Sequence, residues 1–279
     1  MLKNLLSAAA ALILPAVSFA SAAPAAEGLF HAANSRNWAG YVAAGGSFTG
    51  VSGTWTVPAG SGNGAAATWV GIGGSKSEDL IQAGTEEAAG RNGAVEHDAW
   101  IEMLPAVSQP VNLAVKAGDS VTVSLNQVSA GQWQITIKNN TSGQQYQSTQ
   151  QYASSLSSAE WIEEAPSSRR GELPLDNFGS VAFSGASTVE NGATVSVAQA
   201  GGQAITMVSA NRTLATPSTL GADGASFSVA YNGGATTSPA PNPVATEPFP
   251  VIPPGFGPRP YGRIPFARPF SRRFRDWDD

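Results

Sequence analysis

The feature that most constrains this chain is a side-chain period of two that returns in stretch after stretch. In SVTVSLNQV (120–128), Val121, Val123 and Leu125 alternate with Ser and Thr. In QWQITIK (132–138), Trp133, Ile135 and Ile137 alternate with Gln and Thr. Side chains two apart share one face of a strand, so each stretch has an apolar face and a polar one. The run Asn139-Asn140-Thr141-Ser142-Gly143 supplies the turn that folds the second stretch into a hairpin with QQYQSTQQY. Further strands are predicted at 178–184, 194–198, 204–210 and 226–232. Outside the first 22 residues, nothing has helical spacing. Strands of this kind must bury their apolar faces against another sheet. The prediction is an all-β fold, a two-sheet antiparallel β-sandwich of jelly-roll or concanavalin-like type.

Composition changes along the chain and divides it. Met1–Ala22 reads as a secretory signal peptide: Lys3, an apolar run from Leu5 to Val17, then a small-x-small site at Ala20-Ser21-Ala22. The run is shorter than the ~20 residues a bilayer needs, and no later segment is long enough to span. Residues 23–35 are Ala-rich and read as a linker or short pro-segment, and 36–233 as the sandwich. Residues 234–279 read as a disordered Pro/Arg-rich tail, because 11 of the 19 prolines fall after residue 235 and proline removes ladder donors. The expectation is a secreted monomer.

The inventory of charged and reactive residues excludes several functions. There is no cysteine, so thiol catalysis and cysteine-ligated metal are out. Residues 23–235 carry 16 acids against 8 Lys/Arg, which argues against a nucleic-acid partner. The two histidines are His31, in the expected linker, and His97, beside Glu96 and Asp98. No Gly-x-Ser-x-Gly elbow accompanies them, and no His-Glu-x-x-His zinc motif occurs. Asp-Thr-Gly and Asp-Ser-Gly are absent, as is a phosphate loop after Gly71-Ile72-Gly73-Gly74. No metal or cofactor is expected.

Polar residues instead gather among tryptophans in 68–105 and again in 159–166. Read as strands, DLIQAGTE places Leu80, Gln82 and Glu86 on one face, and DAWIEMLP places Trp100, Glu102 and Leu104 on one face. In AEWIEEAP, Glu160, Ile162 and Glu164 lie together, opposite Trp161 and Glu163. For a chain with 13% charged residues this is a concentration of acids on strands.

The strings NWAGYV (37–42), GTWTVP (53–58), TWVGIGG (68–74), LIQAGTE (80–86), DAWIEMLP (98–105), AEWIEEAP (159–166) and FGSVAF (178–183) occur in an order that resembles the glutamic peptidase (eqolisin) family. The resemblance implies a β-sandwich endopeptidase that works in acid on polypeptide substrates with a Gln/Glu dyad. Matching strings carry the dyad glutamine onto Gln82 and the dyad glutamate onto Glu164. The family's WVGI tryptophan falls on Trp69, while Glu86, Trp100 and Glu102 would bind substrate or orient the dyad. Fungal relatives read WVGID where this chain has Gly73, and they carry cysteines absent here. A carboxylate can serve as general base and then general acid, and a side-chain amide can donate to an oxyanion. A register error of one residue would exchange Glu164 for Glu163. Two other readings stand beside this one: a glycoside hydrolase using Glu102 and Glu164, and a non-catalytic carbohydrate- or peptide-binding sandwich.

Overall fold

The computed structural model describes residues 33–90, 93–168, 171–210 and 212–236. The segments read as signal peptide, most of the linker, and nearly all of the tail lie outside them, as does His31. Among the described residues there is no helix, and so none long and apolar enough to cross a membrane.

The strands form two packed layers, as the alternation requires. One layer is built on Gln145–Gln151, Gln132–Asn139, Ser120–Ser129, Phe48–Thr56 and Ser180–Glu190, in that spatial order. The other runs Trp38–Ala44, Ser158–Glu164, Ala65–Gly73, Leu80–Ala89 and Val95–Met103. Hydrogen bonding does not stop between them. Phe227–Thr236, Arg212–Pro217 and Gln203–Ser209 carry the ladder round from one layer to the other. The strand Arg212–Pro217 is absent from the sequence expectation because RTLATP has no clean alternation and ends in proline. The linker boundary also shifts, since Ala33–Ser35 is a short strand parallel to Gln203–Ser209.

The core lies between the layers. Val51, Trp55, Val121, Val123, Leu125, Trp133, Ile135 and Phe183 of the first layer pack in one cluster with Val70, Ile72, Ile81, Ala83, Ile101 and Trp161 of the second. Two indoles pin the layers together: Trp161 Nε1 donates to the Ser52 carbonyl at 2.8 Å, and Trp55 Nε1 to Thr85 Oγ1 at 2.9 Å. Tryptophans used this way bury a large apolar body without leaving the N–H unpaired.

The layers differ in what their far faces do. Ser120–Ser129 and Gln132–Asn139 alternate buried and exposed positions, as a one-sided strand should. In the other layer, Ala65–Gly73 and Ser158–Glu164 are buried at every position, and Leu80–Ala89 over its first eight residues. A second, smaller apolar cluster covers that far face: Trp38, Trp69, Trp100, Leu80, Ile162 and Ile205. Polar groups on the face are therefore dry.

Candidate active site

The expected site residues meet on this covered face. Pairing through the four strands that carry them is free of bulges, so the face parity read from the sequence is preserved. Gln82 is level with Glu102 on one neighbouring strand and with Gly71 on the other. Glu164 is level with Ala67, two same-face positions along from Gly71. Trp69 lies between those positions, on the one strand that separates Gln82 from Glu164.

Each polar group is held by another. Gln82 Nε2 contacts Glu102 Oε2 at 2.6 Å, and the other amide atom, Oε1, is buried without a partner. Glu164 is gripped on both oxygens: Trp69 Nε1 donates to Oε2 at 2.8 Å, and Asn37 Nδ2 to Oε1 at 3.0 Å. Trp38 stacks edge-on against Trp69, with ring centroids 5.1 Å apart at 77°. Trp100 is buried two positions before Glu102 on the same face.

Trp69 fits because Gly71 has no side chain. A Cβ there would lie 2.8 Å from Trp69 Cζ3 and 3.0 Å from Leu80 Cδ1. The indole thus spans from the Glu164 carboxyl at its N–H edge to the gap at Gly71, which is level with Gln82.

Burial among like charges governs the protonation of the site. Glu164 is pushed well above the usual carboxylate range by burial and by the charge of Glu102, against the pull of its Trp69 and Asn37 donors. Glu102 is raised to about 7 by burial, opposed by its bonds to Gln82 and the Ser108 backbone. Glu86, level with Ala67 and Asp98, is raised to about 8 by burial, with Asp98 and Glu102 adding to it. Desolvation disfavours charge, and each ionised neighbour disfavours it further. Once Glu102 is neutral, its contribution to the raised Glu164 value disappears.

Gly73 has φ +89°, and a Cβ on it would lie 2.8 Å from Asp79 Oδ2. A carboxylate therefore stands beside position 73 although that position carries none. Asp79 is fixed there by the Ser155 N–H at 2.7 Å and Ser154 Oγ at 3.0 Å.

Three groups received no role from the sequence. Asn37 and Trp38 open the string NWAGYV, and only the strand Trp38–Ala44 pairing beside Ser158–Glu164 brings them to Glu164. Glu160 lies on the Glu164 face, wholly buried, with neither carboxyl oxygen bonded; its spacing of four from Glu164 was the available signal. Glu163 points the other way, into the interlayer space, where Thr68 Oγ1 donates to its Oε2 at 2.6 Å. His97 is half-buried, with Nε2 at 2.9 Å from the Pro58 carbonyl and no part in the site.

A β-sandwich that gathers carboxyls and an amide under tryptophans has the build of an acid–base hydrolase. The comparisons make that class specific. The Peptidase A4 family model matches residues 36–231. Aspergillopepsin-2 of Aspergillus niger is 30% identical over 190 residues, covering 58% of this chain and 67% of its own. The crystal structure of scytalido-glutamic peptidase with a transition state analog inhibitor superposes with a TM-score of 0.61 at 27% identity, over 70% of this chain and 98% of that one. Aspergilloglutamic peptidase from Aspergillus niger gives a TM-score of 0.54 at 28% identity, over 60% and 98% of the two chains. The chain belongs to the Peptidase A4 family, the eqolisin or glutamic peptidases, whose members hydrolyse peptide bonds.

Proposed function

We propose that this protein is an exported, acid-acting endopeptidase in which Glu164 moves the protons and Gln82 stabilises the oxyanion. Family membership removes the carbohydrate-hydrolase and binding-module alternatives. The observation that carries the reading is the pair of grips on one dry face: Gln82 held by Glu102, and Glu164 held by Trp69 and Asn37. Export rests on the signal-like N-terminus.

In this mechanism ionised Glu164 takes a proton from water as the water oxygen bonds to the scissile carbonyl carbon. The carbonyl π electrons move onto its oxygen, which accepts a hydrogen bond from the Gln82 amide. Glu164 then gives its proton to the departing nitrogen as the C–N bond breaks, leaving a carboxylic acid and an amine. Asn37 and Trp69 both address the ionised form of Glu164 and oppose the burial that raises it. Acid conditions suit the arrangement, because protonating Glu102 removes the charge that opposes ionising Glu164 and that would repel an oxyanion. Trp69, Trp100 and Glu86 line the site for a polypeptide.

The test is hydrolysis of an unfolded protein from pH 2 to 7, with fragments identified by mass. Internal cleavage that peaks in acid and survives a chelator is expected. Cleavage confined to neutral pH, or lost to chelator and restored by zinc, would overturn the proposal.

A further inference from the structure

We propose that Glu102 is a positioning residue that acts as a neutral acid: its carboxyl O–H donates to the side-chain oxygen of Gln82 and turns the Gln82 NH2 toward the substrate. This deepens the reading of Gln82 as oxyanion donor and rests on it.

The first support is length. The Gln82–Glu102 contact is 2.6 Å, whereas the two N–H donors on Glu164 stand at 2.8 and 3.0 Å. N–H···O bonds centre on roughly 2.9–3.0 Å and O–H···O bonds on roughly 2.7–2.8 Å. On the other face of the same layer, a bond that must be O–H···O, from Thr68 to Glu163, has the same 2.6 Å length. The Glu102 contact is matched to a hydroxyl donor.

The second support is the orphaned amide atom. With nitrogen turned to Glu102, Gln82 Oε1 is buried and has no donor. Nitrogen and oxygen of an amide are distinguished by their partners, so the two orientations must be weighed by what each satisfies. Rotating the amide by half a turn gives the oxygen to the Glu102 O–H. It also places the NH2, with two donors, where the unpaired oxygen stood. A lone pair aimed at a developing oxyanion would oppose the reaction, and an N–H would assist it.

The third support is the set of groups around Glu102. From the strand Leu80–Ala89 it faces Glu86, from Ser158–Glu164 it faces Glu164, and from the segment after Gln145–Gln151 it faces Tyr152. All are acids, and the Ser108 backbone N–H is the other donor to the carboxyl. None of these neighbours is a cation, and burial disfavours a charge on Glu102, so the neutral form is favoured. Its elevation to about 7 agrees with this.

Three variants and one direct observation test the inference. Glu102→Gln carries an NH2 that can donate to the Gln82 oxygen at any pH, whereas Glu102→Ala cannot. Glu102→Ala should lose roughly 100-fold in kcat on a peptide in acid with little change in KM, and Glu102→Gln should recover to within about tenfold of wild type. The alkaline limb of the Glu102→Gln profile should move up by a pH unit or more, measured where circular dichroism shows each variant folded. Glu102→Gln as inactive as Glu102→Ala, or an unmoved limb, would overturn the proposal. Neutron diffraction from wild-type crystals grown in acid gives the answer without a variant. A deuteron on Glu102 and none on the Gln82 atom facing it is expected, and the reverse is fatal. Glu164→Gln is assayed beside them; turnover at the wild-type rate would instead remove the dyad reading on which the inference rests.

Discussion

Trp69 Nε1 donates to Glu164 Oε2 at 2.8 Å from the one strand that lies between Glu164 and Gln82. The indole therefore couples the two halves of the proposed dyad: it fixes the base, and its ring fills the gap over Gly71, level with Gln82. The bond favours the ionised carboxyl, in opposition to burial. Several consequences can be measured.

Glu164→Gln should abolish peptide hydrolysis with the fold intact, because an amide cannot take a proton from water. Gln82→Ala should lower kcat roughly 10²–10³-fold with little effect on KM, the signature of a donor used only in the transition state. Retention of more than about a tenth of wild-type kcat would remove the donor role. Thermal midpoints in acid check that each variant is folded.

Trp69→Phe keeps an aromatic ring but deletes the N–H. A bond to a charged group is worth roughly 1.5–3 kcal/mol, on the order of 10–100-fold in rate if realised in the ionised state. The Glu164 carboxyl should rise further, since one of the donors that lowers it is gone. The acid limb of the kcat/KM profile should then move to higher pH. An unchanged limb would mean that the indole only packs.

Gly71→Ala introduces a methyl 2.8 Å from the Trp69 ring and 3.2 Å from the Ile81 carbonyl. Overpacking of this kind costs about 1–3 kcal/mol. Because the displaced ring holds Glu164, the loss of kcat should exceed the loss of stability. Chemical denaturation beside steady-state kinetics separates the two.

Stability should fall as pH rises. Glu87 and Glu163 are both wholly buried on the core-facing side, and Glu87 has neither oxygen bonded. Burial raises Glu87 well above its usual value, with Glu163 adding to the shift, and burial raises Glu163 to about 8 despite its Thr68 bond. Glu86 and Glu102 are raised to about 8 and about 7. A carboxyl raised in the folded state binds more protons there than in the unfolded chain between about pH 4.5 and its folded value. Its stabilisation is thus full below about 4.5 and drains as pH climbs, by about 1.4 kcal/mol per unit for each such group. The unfolding free energy should drop steeply from pH 4.5 to 8. Glu163→Gln should flatten that slope while leaving acid turnover nearly intact, since Glu163 faces away from the site. A wild-type stability that is level across this range would contradict the burial argument.

The sequence by itself determined the all-β class and the face on which each site residue sits. Strand parity depends only on local backbone geometry, so Gln82, Glu102 and Glu164 share a face, and Glu163 lies opposite, wherever the pairing has no bulge. The family strings located the same residues. Which strands became neighbours was decided by the tertiary structure, because pairing is non-local: Ser158–Glu164 inserts between Trp38–Ala44 and Ala65–Gly73. That insertion brings Asn37 to Glu164 across 127 positions and Thr68 to Glu163 across 95. The second apolar cluster buries the far face, turning carboxyls that alternation alone would leave half in water into dry, raised acids. Protonation follows from the dielectric and the neighbours, and packing supplies both.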